Sequence, residues 1–243
     1  LAINVAGYDY RYSGLQVTVL VPGANLLPIA RTLNAGSART YGVEFDTSYK
    51  PPSMEGLTLH GAVNWLHARF NTLRNVPCYG GQMISEGCNQ SLNTSTGFFT
   101  AQTLDGIPLI DAPSLTGSFG FTYETPVGGD LSVVVNSNTH FSSKYITTLG
   151  RRADLYQPGF VKTDLSLGIK GADDRWQIAL ASRNLTNKIT RSTCATTNFA
   201  GGLLGGGTIT GGTTRGPAGI DEVGCYADAG REVWLTLTVR PFN

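Results

Sequence analysis

The feature that most constrains this chain is an unbroken alternation of apolar and polar residues at 161–170. The odd-numbered positions of this stretch form one face and carry Val161, Thr163, Leu165, Leu167 and Ile169. Successive side chains of a strand point to opposite faces, so the pattern predicts a β-strand with one apolar and one polar face. The alternation resumes at 176–181 after a short polar turn. It returns in the last strand, at 232–242, where Trp234 is the one exception on the polar face.

Similar stretches of alternation recur earlier in the chain. They lie at 2–12, 39–49, 57–69, 114–124 and 131–141. Near Ser13 and Gly14 the apolar phase shifts by one residue, which indicates a β-bulge. The chain is therefore predicted to be all-β, with about eight antiparallel strands that share one wall pattern.

The connections between these strands alternate strictly in length. Those at 50–56, 125–130 and 171–175 are short, whereas those at the other strand ends are longer. Two of the long ones, at about 71–111 and 189–230, are predicted to be external loops. Tight turns at one end and large loops at the other, with dyad alternation, are typical of a transmembrane β-barrel. A soluble β-sandwich is the alternative.

Aromatic residues cluster near the end of the strands that carries the short turns. They are Phe45, Tyr49, Tyr123, Trp176 and Phe242. A girdle of aromatic residues at the membrane–water interface explains this placement.

Composition excludes several other classes of protein. Charged residues make up 14% of the 243 residues and the net charge is +1, so nothing indicates a nucleic-acid partner. No run approaches the roughly 18 apolar residues of a membrane helix. Residues 1–12 resemble a strand and not a signal peptide. We therefore expect that a leader was removed or that the chain starts part-way through a longer one.

The four cysteines indicate an extracytoplasmic protein. Four cysteines permit three connectivities, and the sequence does not choose among them. Proximity and placement in separate loops favour the pairs Cys78–Cys88 and Cys194–Cys225. No CxxC pair exists, and the three histidines are not at metal-ligand spacings from any cysteine, so no metal site is expected.

Five short motifs, in this order along the chain, suggest a family. They are ARTYGVEFD at 38–46, APSL at 112–115, VKTDLSLG at 161–168, NLTNK at 184–188 and RPFN at 240–243. With this order and spacing, the chain resembles the C-terminal part of the β-barrel of a TonB-dependent outer-membrane receptor. Asn243 departs from the family pattern, because such barrels usually end on an aromatic residue.

The resemblance implies an architecture and a function. Barrels of this family have 22 strands and a plugged lumen, so residues 1–243 would supply the last third of the wall. The remaining strands and the plug domain, absent from this chain, would be its partners, with the TonB complex acting through the plug. The protein would lie in the bacterial cell outer membrane, in contact with lipid. It would import a large scarce solute, such as an iron–siderophore, a cobamide or a glycan, and would be neither an enzyme nor a cofactor carrier.

Two other functions remain open at this point. A self-contained eight-stranded barrel would be a structural or adhesive protein, but a small barrel fills its lumen with side chains. The inward residues here are mostly Ser, Thr, Gly, Ala and Asn, which suit a wide lumen. A barrel enzyme is the second alternative. His60 and His140 are expected to face the lumen, yet no Ser-His-Asp set is apparent, and we predict no catalytic residues.

The long loops contain the candidate binding residues. The Cys78–Cys88 bridge would shape the tip of the first loop, and Tyr79, Phe98 and Phe99 near it are candidate ligand contacts. Such aromatics also commonly pack within their own loop. The glycine-rich run at 201–219 lacks the lysine of a phosphate-binding loop, and it is predicted to be an external loop tied at its base by Cys194 and Cys225.

Overall fold

The structure is a computed structural model that describes residues 1–22, 28–79, 82–95, 97–171, 175–196 and 223–240. These residues form strands and two single turns of 3₁₀-helix, Ile84–Glu86 and Ala153–Leu155. In chain order the strands are β1 (Ala2–Pro22), β2 (Pro28–Tyr49), β3 (Leu57–Thr72), β4 (Val76–Pro77), β5 (Gln90–Asn93), β6 (Phe98–Gln102), β7 (Leu115–Gly128), β8 (Leu131–Ser142), β9 (Tyr145–Ile146), β10 (Tyr156–Gln157), β11 (Phe160–Lys170), β12 (Trp176–Arg183), β13 (Arg191–Thr196), β14 (Val223–Ala227) and β15 (Glu232–Val239). No helix in the described ranges is long and apolar enough to cross a membrane.

Eight of the strands form one antiparallel sheet in the order β1-β2-β3-β7-β8-β11-β12-β15. Each strand pairs with the next long strand along the chain, as the alternating pattern predicts. Within the described part of the chain β1 and β15 do not pair with each other, so the sheet is open at both edges. Because a strand edge in lipid leaves backbone groups unpaired, both edges of a wall of this kind must be paired in a membrane.

The register places most of the large apolar residues of the eight strands on one face. Opposite Leu167, for example, stand Val135 on β8 and Leu180 on β12. These side chains are uncovered: Leu167 is 54% exposed and Leu235 is 72% exposed. A soluble sandwich would bury this face against a second sheet, and monomeric soluble proteins rarely expose such patches. This outer face is therefore the lipid-facing surface of a transmembrane barrel wall.

The other face is polar, and we call it the inner face. It carries Asn64, Asn136 and Asn138, and Trp234 is the exception that the sequence pattern already showed. Tyr8 lies across Gly42 on this face and donates a hydrogen bond to Oδ1 of Asn64 at 3.2 Å. A Cβ on Gly42 would stand 2.3 Å from a backbone carbonyl and 2.6 Å from the tyrosine hydroxyl, so only glycine fits there.

Four aromatics lie on the outer face close to the short turns, as the girdle prediction expects. They are Phe45, Tyr49, Tyr123 and Trp176. Phe242 lies outside the described residues. The last strand ends at Val239, earlier than the predicted residue 242.

β1 and β2 are longer than the sequence predicts, since they run on to Pro22 and start from Pro28. The predicted bulge is present between Ser13 and Leu15, with Gly14 at a φ of 66°. The extra residue keeps Leu15, Val17 and Val19 on the inner face, where they pack against a buried cluster. The shift in apolar phase therefore does not mark the end of β1. It marks the point beyond which the inner face of β1 packs against the buried cluster.

Candidate ligand-binding site at the long-loop end

The long connections fold into one unit, which we call the loop cap: described residues in 73–114, 143–159, 189–196 and 223–231. It shares with the wall a cluster of buried apolar residues: Ala38 and Phe70 from the wall, and Leu73, Val76, Leu104 and Ile107 from the cap. Leu73 and Leu104 are fully buried, and their backbones are joined by a hydrogen bond of 2.8 Å. The cap is therefore anchored by hydrophobic packing on β1, β2 and β3.

The first long loop contains regular structure, although its sequence predicts none. β4, β6 and β5 form a three-stranded sheet. The Cys78–Cys88 disulfide is present at its tip. Beside it, the buried Gln82 donates from Nε2 to Oε1 of Gln102 at 2.9 Å and to the carbonyl of Glu86 at 3.1 Å. Satisfied buried amides of this kind fix one conformation of the loop tip.

Tyr79, the first candidate contact, is half-buried and already engaged. Its hydroxyl donates to Oε2 of Glu86 at 3.1 Å, and the guanidinium of Arg152 lies 4.9 Å from the ring centroid. Burial, followed by the hydrogen bond to Glu86 and its charge, raises the pKa of Tyr79 to about 12. The phenol therefore stays protonated, and part of the ring remains at the surface of a cleft.

The two phenylalanines lie on β6, and Phe99 is not among the residues that line that cleft. Phe99 is half-buried opposite Leu92 of β5. Phe98 pairs through its backbone with Asn93, and its side chain is not among those that the structure describes. The structure thus separates Tyr79, which lines a cleft, from Phe99, which faces a neighbouring strand.

Arginines connect the separate loops of the cap. Arg151 donates to the carbonyl of Asp105 at 2.7 Å, and Arg191 donates to the carbonyl of Asp154 at 2.7 Å. The backbone N–H of Arg191 also donates to Oε1 of Gln157 at 2.8 Å. These bonds join the three long connections, and they leave between them a cleft of about 260 Å³. Its wall includes Thr18, Tyr79, Gln102, Thr147 and Thr193.

A larger cleft of about 600 Å³ lies beneath the cap against the inner face. Its polar lining includes Asn64, Asp111, His140, Tyr145 and Ser192. Partial loss of hydration raises the pKa of Asp111. Burial raises the pKa of Tyr145 as well, with a further contribution from the negative charges of Asp111 and Asp228. The cleft therefore offers a phenol, an amide and a carboxylate as hydrogen-bonding groups for a polar solute.

Catalytic geometry is not seen around the histidines in the residues that the structure describes. His140 lines the larger cleft, and its ring stands edge-on to Phe160 at 6.0 Å. It has no hydrogen bond there to a serine hydroxyl or to a carboxylate. His60 also lies on the inner face, with its Nε2 over Gly120. No three His, Cys, Asp or Glu side chains in the described ranges are grouped so as to hold a metal ion.

The second long loop is fixed at its base by a buried lysine. Lys162 on β11 is 8% exposed, and its ammonium donates to Oγ1 of Thr190 at 2.8 Å and to Oδ2 of Asp228 at 2.9 Å. Thr190 donates to the same carboxylate oxygen. The hydrogen bonds from Thr190 and then from Lys162 lower the pKa of Asp228. This latch, Lys162–Thr190–Asp228, joins the two ends of the loop to the wall.

The NLTNK motif at 184–188 gives the same base a second fixation. Asn184 is 3% exposed and has a φ of 50°, and its Nδ2 donates to the carbonyls of Lys188 at 3.0 Å and Ala229 at 3.3 Å. Oδ1 of Asn184 accepts from the N–H of Lys188 at 2.9 Å. Asn187, with a φ of 52°, accepts from the N–H of Arg231 at 2.9 Å. Asparagine tolerates this left-handed backbone, which accounts for both asparagines.

The Cys194–Cys225 disulfide joins β13 to β14 just beyond these contacts. Both disulfides are thus the pairs that sequence proximity favours. The glycine-rich run at 201–219 lies outside the described residues. What the structure adds here is the latch, which the sequence did not reveal because Lys162, Thr190 and Asp228 are far apart along the chain.

Comparison with known proteins finds a matching family model and similar solved structures. The family model described as "TonB dependent receptor-like, beta-barrel" matches residues 1–185. Among solved structures, the ferric yersiniabactin uptake receptor FyuA from Yersinia pestis is similar, with a TM-score of 0.61 and 14% identity over 98% of this chain and 27% of that one. The ferric preacinetobactin receptor BauA from Acinetobacter baumannii is similar with a TM-score of 0.53 and 17% identity, over 97% and 26% respectively.

These solved structures have low sequence identity to the chain, and the chain covers only part of each of them. At such identities the structural likeness shows the fold. The chain spans about a quarter of the length of these receptors. Among curated proteins, none matches the sequence.

Proposed function

The chain belongs to the TonB-dependent receptor β-barrel family, and on that premise we propose that it forms the C-terminal part of the wall of an outer-membrane transporter. In this proposal, residues 1–243 are one portion of a 22-stranded barrel whose other strands and plug domain belong to the rest of the receptor. The transporter imports a scarce, large solute, and the TonB complex drives the plug. The chain itself performs no catalysis.

The observation that carries the proposal is the loop cap above a polar inner face. Disordered loops would suit a purely structural barrel, whereas this cap has a buried apolar cluster shared with the wall, two disulfides and arginines that bridge its loops. Pre-organised walls of this kind reduce the entropy lost when a ligand binds. The two clefts give such a ligand polar contacts on both sides of the cap.

The open edges of the sheet support the presence of further strands, and its polar inner face supports a partner within the lumen. β1 and β15 each have one unpaired edge among the described residues, which supports a barrel completed by strands from elsewhere in the receptor. Small and polar inner residues, with Asn136 and Asn138 among them, suit contact with water or with a folded plug. This argues against an eight-stranded barrel that closes on itself, which would need a filled interior.

We propose a ferric siderophore as the first solute to test, with cobamides and glycans next. The similar structures are described as receptors for ferric yersiniabactin and ferric preacinetobactin. Within the cap, Tyr79 is the candidate contact that lines a cleft, and Asp111 is the carboxylate of the larger cleft. Phe98 and Phe99 remain candidate contacts, Phe99 at a position outside these clefts.

The test is energy-dependent uptake by cells that carry the complete receptor. Labelled ferric siderophores, cobamides and oligosaccharides are supplied to cells with and without TonB. We expect one class to accumulate only when the receptor and TonB are both present. Accumulation of none of them, or accumulation that persists without TonB, would overturn the proposal.

A matched pair of substitutions tests the cleft. Asp111→Asn removes the charge in the larger cleft, and Asp130→Asn removes one from a short turn at the opposite end. Both aspartates have a positive φ, 53° and 60°, which asparagine tolerates, so the backbone cost is the same. We expect only Asp111→Asn to change the affinity for the imported solute. Equal effects would mean that the cleft is not part of the binding site.

An enzyme is the remaining alternative, and one observation is relevant to it. His140 lines the larger cleft together with Asp111. If the protein were a hydrolase, His140→Ala would abolish turnover of an ester or glycoside substrate. We expect the complete receptor to have no such activity to lose.

A further inference from the structure

Three arginines lie side by side on the outer face, one on each of three neighbouring strands. Arg11 on β1 is the direct partner of Arg39 on β2, and Arg39 is the direct partner of Arg69 on β3. Neighbouring strands are about 4.8 Å apart, so the row spans roughly 10 Å. We call Arg11, Arg39 and Arg69 the arginine row.

Contacts of the neighbouring side chains show that the row is on the outer face. The Arg39 guanidinium lies 4.8 Å from the centroid of Tyr41, which stacks on His67 at 4.8 Å and meets Trp65 edge-on at 5.9 Å. Trp65 is 48% exposed and is the partner of Val43, an outer apolar residue. The arginine row therefore stands directly above an aromatic belt, at the long-loop edge of the lipid-facing surface.

The charges of the row are only partly balanced within the chain. Asp9 accepts two hydrogen bonds from Arg39, at 3.0 and 2.7 Å. Arg69 donates to the carbonyl of Gly106 at 2.7 Å, which carries no charge. Arg11 is exposed and has no hydrogen bond or ion pair with any described residue, although its charge acts on the nearby carboxylate of Asp9. Like charges directly opposite each other on neighbouring strands are destabilising. Among the described residues, Arg11 and Arg39 share the single carboxylate of Asp9, so the row keeps a net positive charge.

We propose that the arginine row binds the phosphorylated headgroup of an outer-leaflet lipid. A planar guanidinium matches phosphate oxygens with two parallel hydrogen bonds, and it is less strongly hydrated than an ammonium group. Tyr41 and Trp65 mark the level of the membrane interface, where headgroups lie. Below them the outer face continues with Val43, Phe45 and Val63, which would contact the acyl chains.

This continuity is the reason to choose a lipid over a free anion. A dissolved phosphate finds the same guanidinium groups but gains nothing from the apolar surface beneath them. The arginine row also lies on the face opposite to Tyr8 and Asn64, which point inward. Lipid binding here is therefore separate from solute binding in the lumen and does not depend on the transported substrate.

The experiment uses the complete receptor in nanodiscs of zwitterionic phospholipid. Lipid A or dephosphorylated lipid A is added, and native mass spectrometry measures the lipid retained. We expect retention of lipid A only. Arg11→Gln alone should lower the affinity roughly tenfold, because one charge-assisted hydrogen bond contributes on that scale. The triple variant Arg11→Gln, Arg39→Gln and Arg69→Gln should abolish retention.

Two controls keep the result interpretable. Arg74→Gln in the cap and Arg183→Gln on the inner face remove arginine side chains that are each 68% exposed, and both should leave retention unchanged. The exposed Arg11 side chain makes no hydrogen bond or ion pair with a described residue, so Arg11→Gln is expected to fold normally. Equal retention by the triple variant, equal retention of dephosphorylated lipid A, or complete displacement by inorganic phosphate would each overturn the proposal.

Discussion

Substitution of Asn184 tests how the base of the second long loop is held. Its side chain donates two hydrogen bonds to backbone carbonyls and accepts one from a backbone N–H. A net contribution of about 1 kcal/mol for each bond gives roughly 3 kcal/mol. Alanine must also adopt the left-handed φ of 50°, at about 1 kcal/mol more. Asn184→Ala should therefore destabilise the closed base by about 4 kcal/mol.

Two further variants separate these contributions. Asn184→Gly removes the side chain but tolerates the left-handed backbone, so it should cost about 1 kcal/mol less than alanine. Asn184→Asp keeps the acceptor for Lys188 and loses both donors, so it should cost about 2 kcal/mol. The expected order of destabilisation is alanine, then glycine, then aspartate.

The assay is hydrogen exchange at the backbone N–H of Asp228, which donates to the carbonyl of Thr190 at 2.9 Å across the base of the loop. Each 1.4 kcal/mol corresponds to about tenfold faster exchange by local opening. Alanine should therefore speed exchange by nearly a thousandfold, and aspartate by about thirtyfold. Unchanged exchange in Asn184→Ala, or equal exchange in all three variants, would refute the role of Asn184 in holding the base of the loop closed.

Three further outcomes are expected. Leu104→Ala empties a fully buried site of the cap and should cost about 2–5 kcal/mol, whereas Leu92→Ala, at a position 52% exposed, should cost little; limited proteolysis compares them. Gly42→Ala places a Cβ 2.3 Å from a backbone carbonyl and should impair refolding into micelles, whereas Gly7→Ala, with no atom closer than 3.9 Å, should not. The folded-state pKa of Asp228 is lowered, so its stabilisation is complete above the unfolded pKa of about 4 and is lost as the pH falls through the lower folded value. Hydrogen exchange against pH should show this loss, and Asp228→Asn should remove it.

The strands of the wall were predictable from sequence because each strand shows its two faces in the alternation of neighbouring residues. Alternation of period two at 161–170 follows from one face meeting lipid and the other meeting a polar interior. The strict alternation of short and long connections then fixed which end carries the loops. The same reasoning placed Trp234 on the inner face, where the structure has it.

The loop cap was not predictable, because tertiary contacts and not periodicity bring its core together. The apolar residues that the cap contributes to the cluster are irregularly spaced, so no sequence pattern predicts that they pack together. They are Leu73, Val76, Leu104 and Ile107. The segment at 71–111 therefore lacks any sustained strand signal, although its short strands pair into a sheet. Irregular apolar residues within a long loop are the signal that could have indicated a packed unit.

Register decides the features that sequence inspection missed. The tyrosines and charged residues at 8–12 alternate, but alternation alone does not say which set faces lipid. The pairing of Tyr8 with Gly42 places the tyrosines inward, and the charged residues therefore face outward. Only that register aligns Arg11 with Arg39. The sequence of a single strand therefore does not reveal the arginine row.

The measurement that tests the central claim most directly is the intact mass, under reducing and denaturing conditions, of every polypeptide that co-purifies with this sequence from outer membranes. A single species several-fold heavier than these 243 residues, or a second chain that contains a plug domain, is the predicted result. A lone species with the mass of these residues would mean that eight strands close on themselves, and the transporter account would be contradicted.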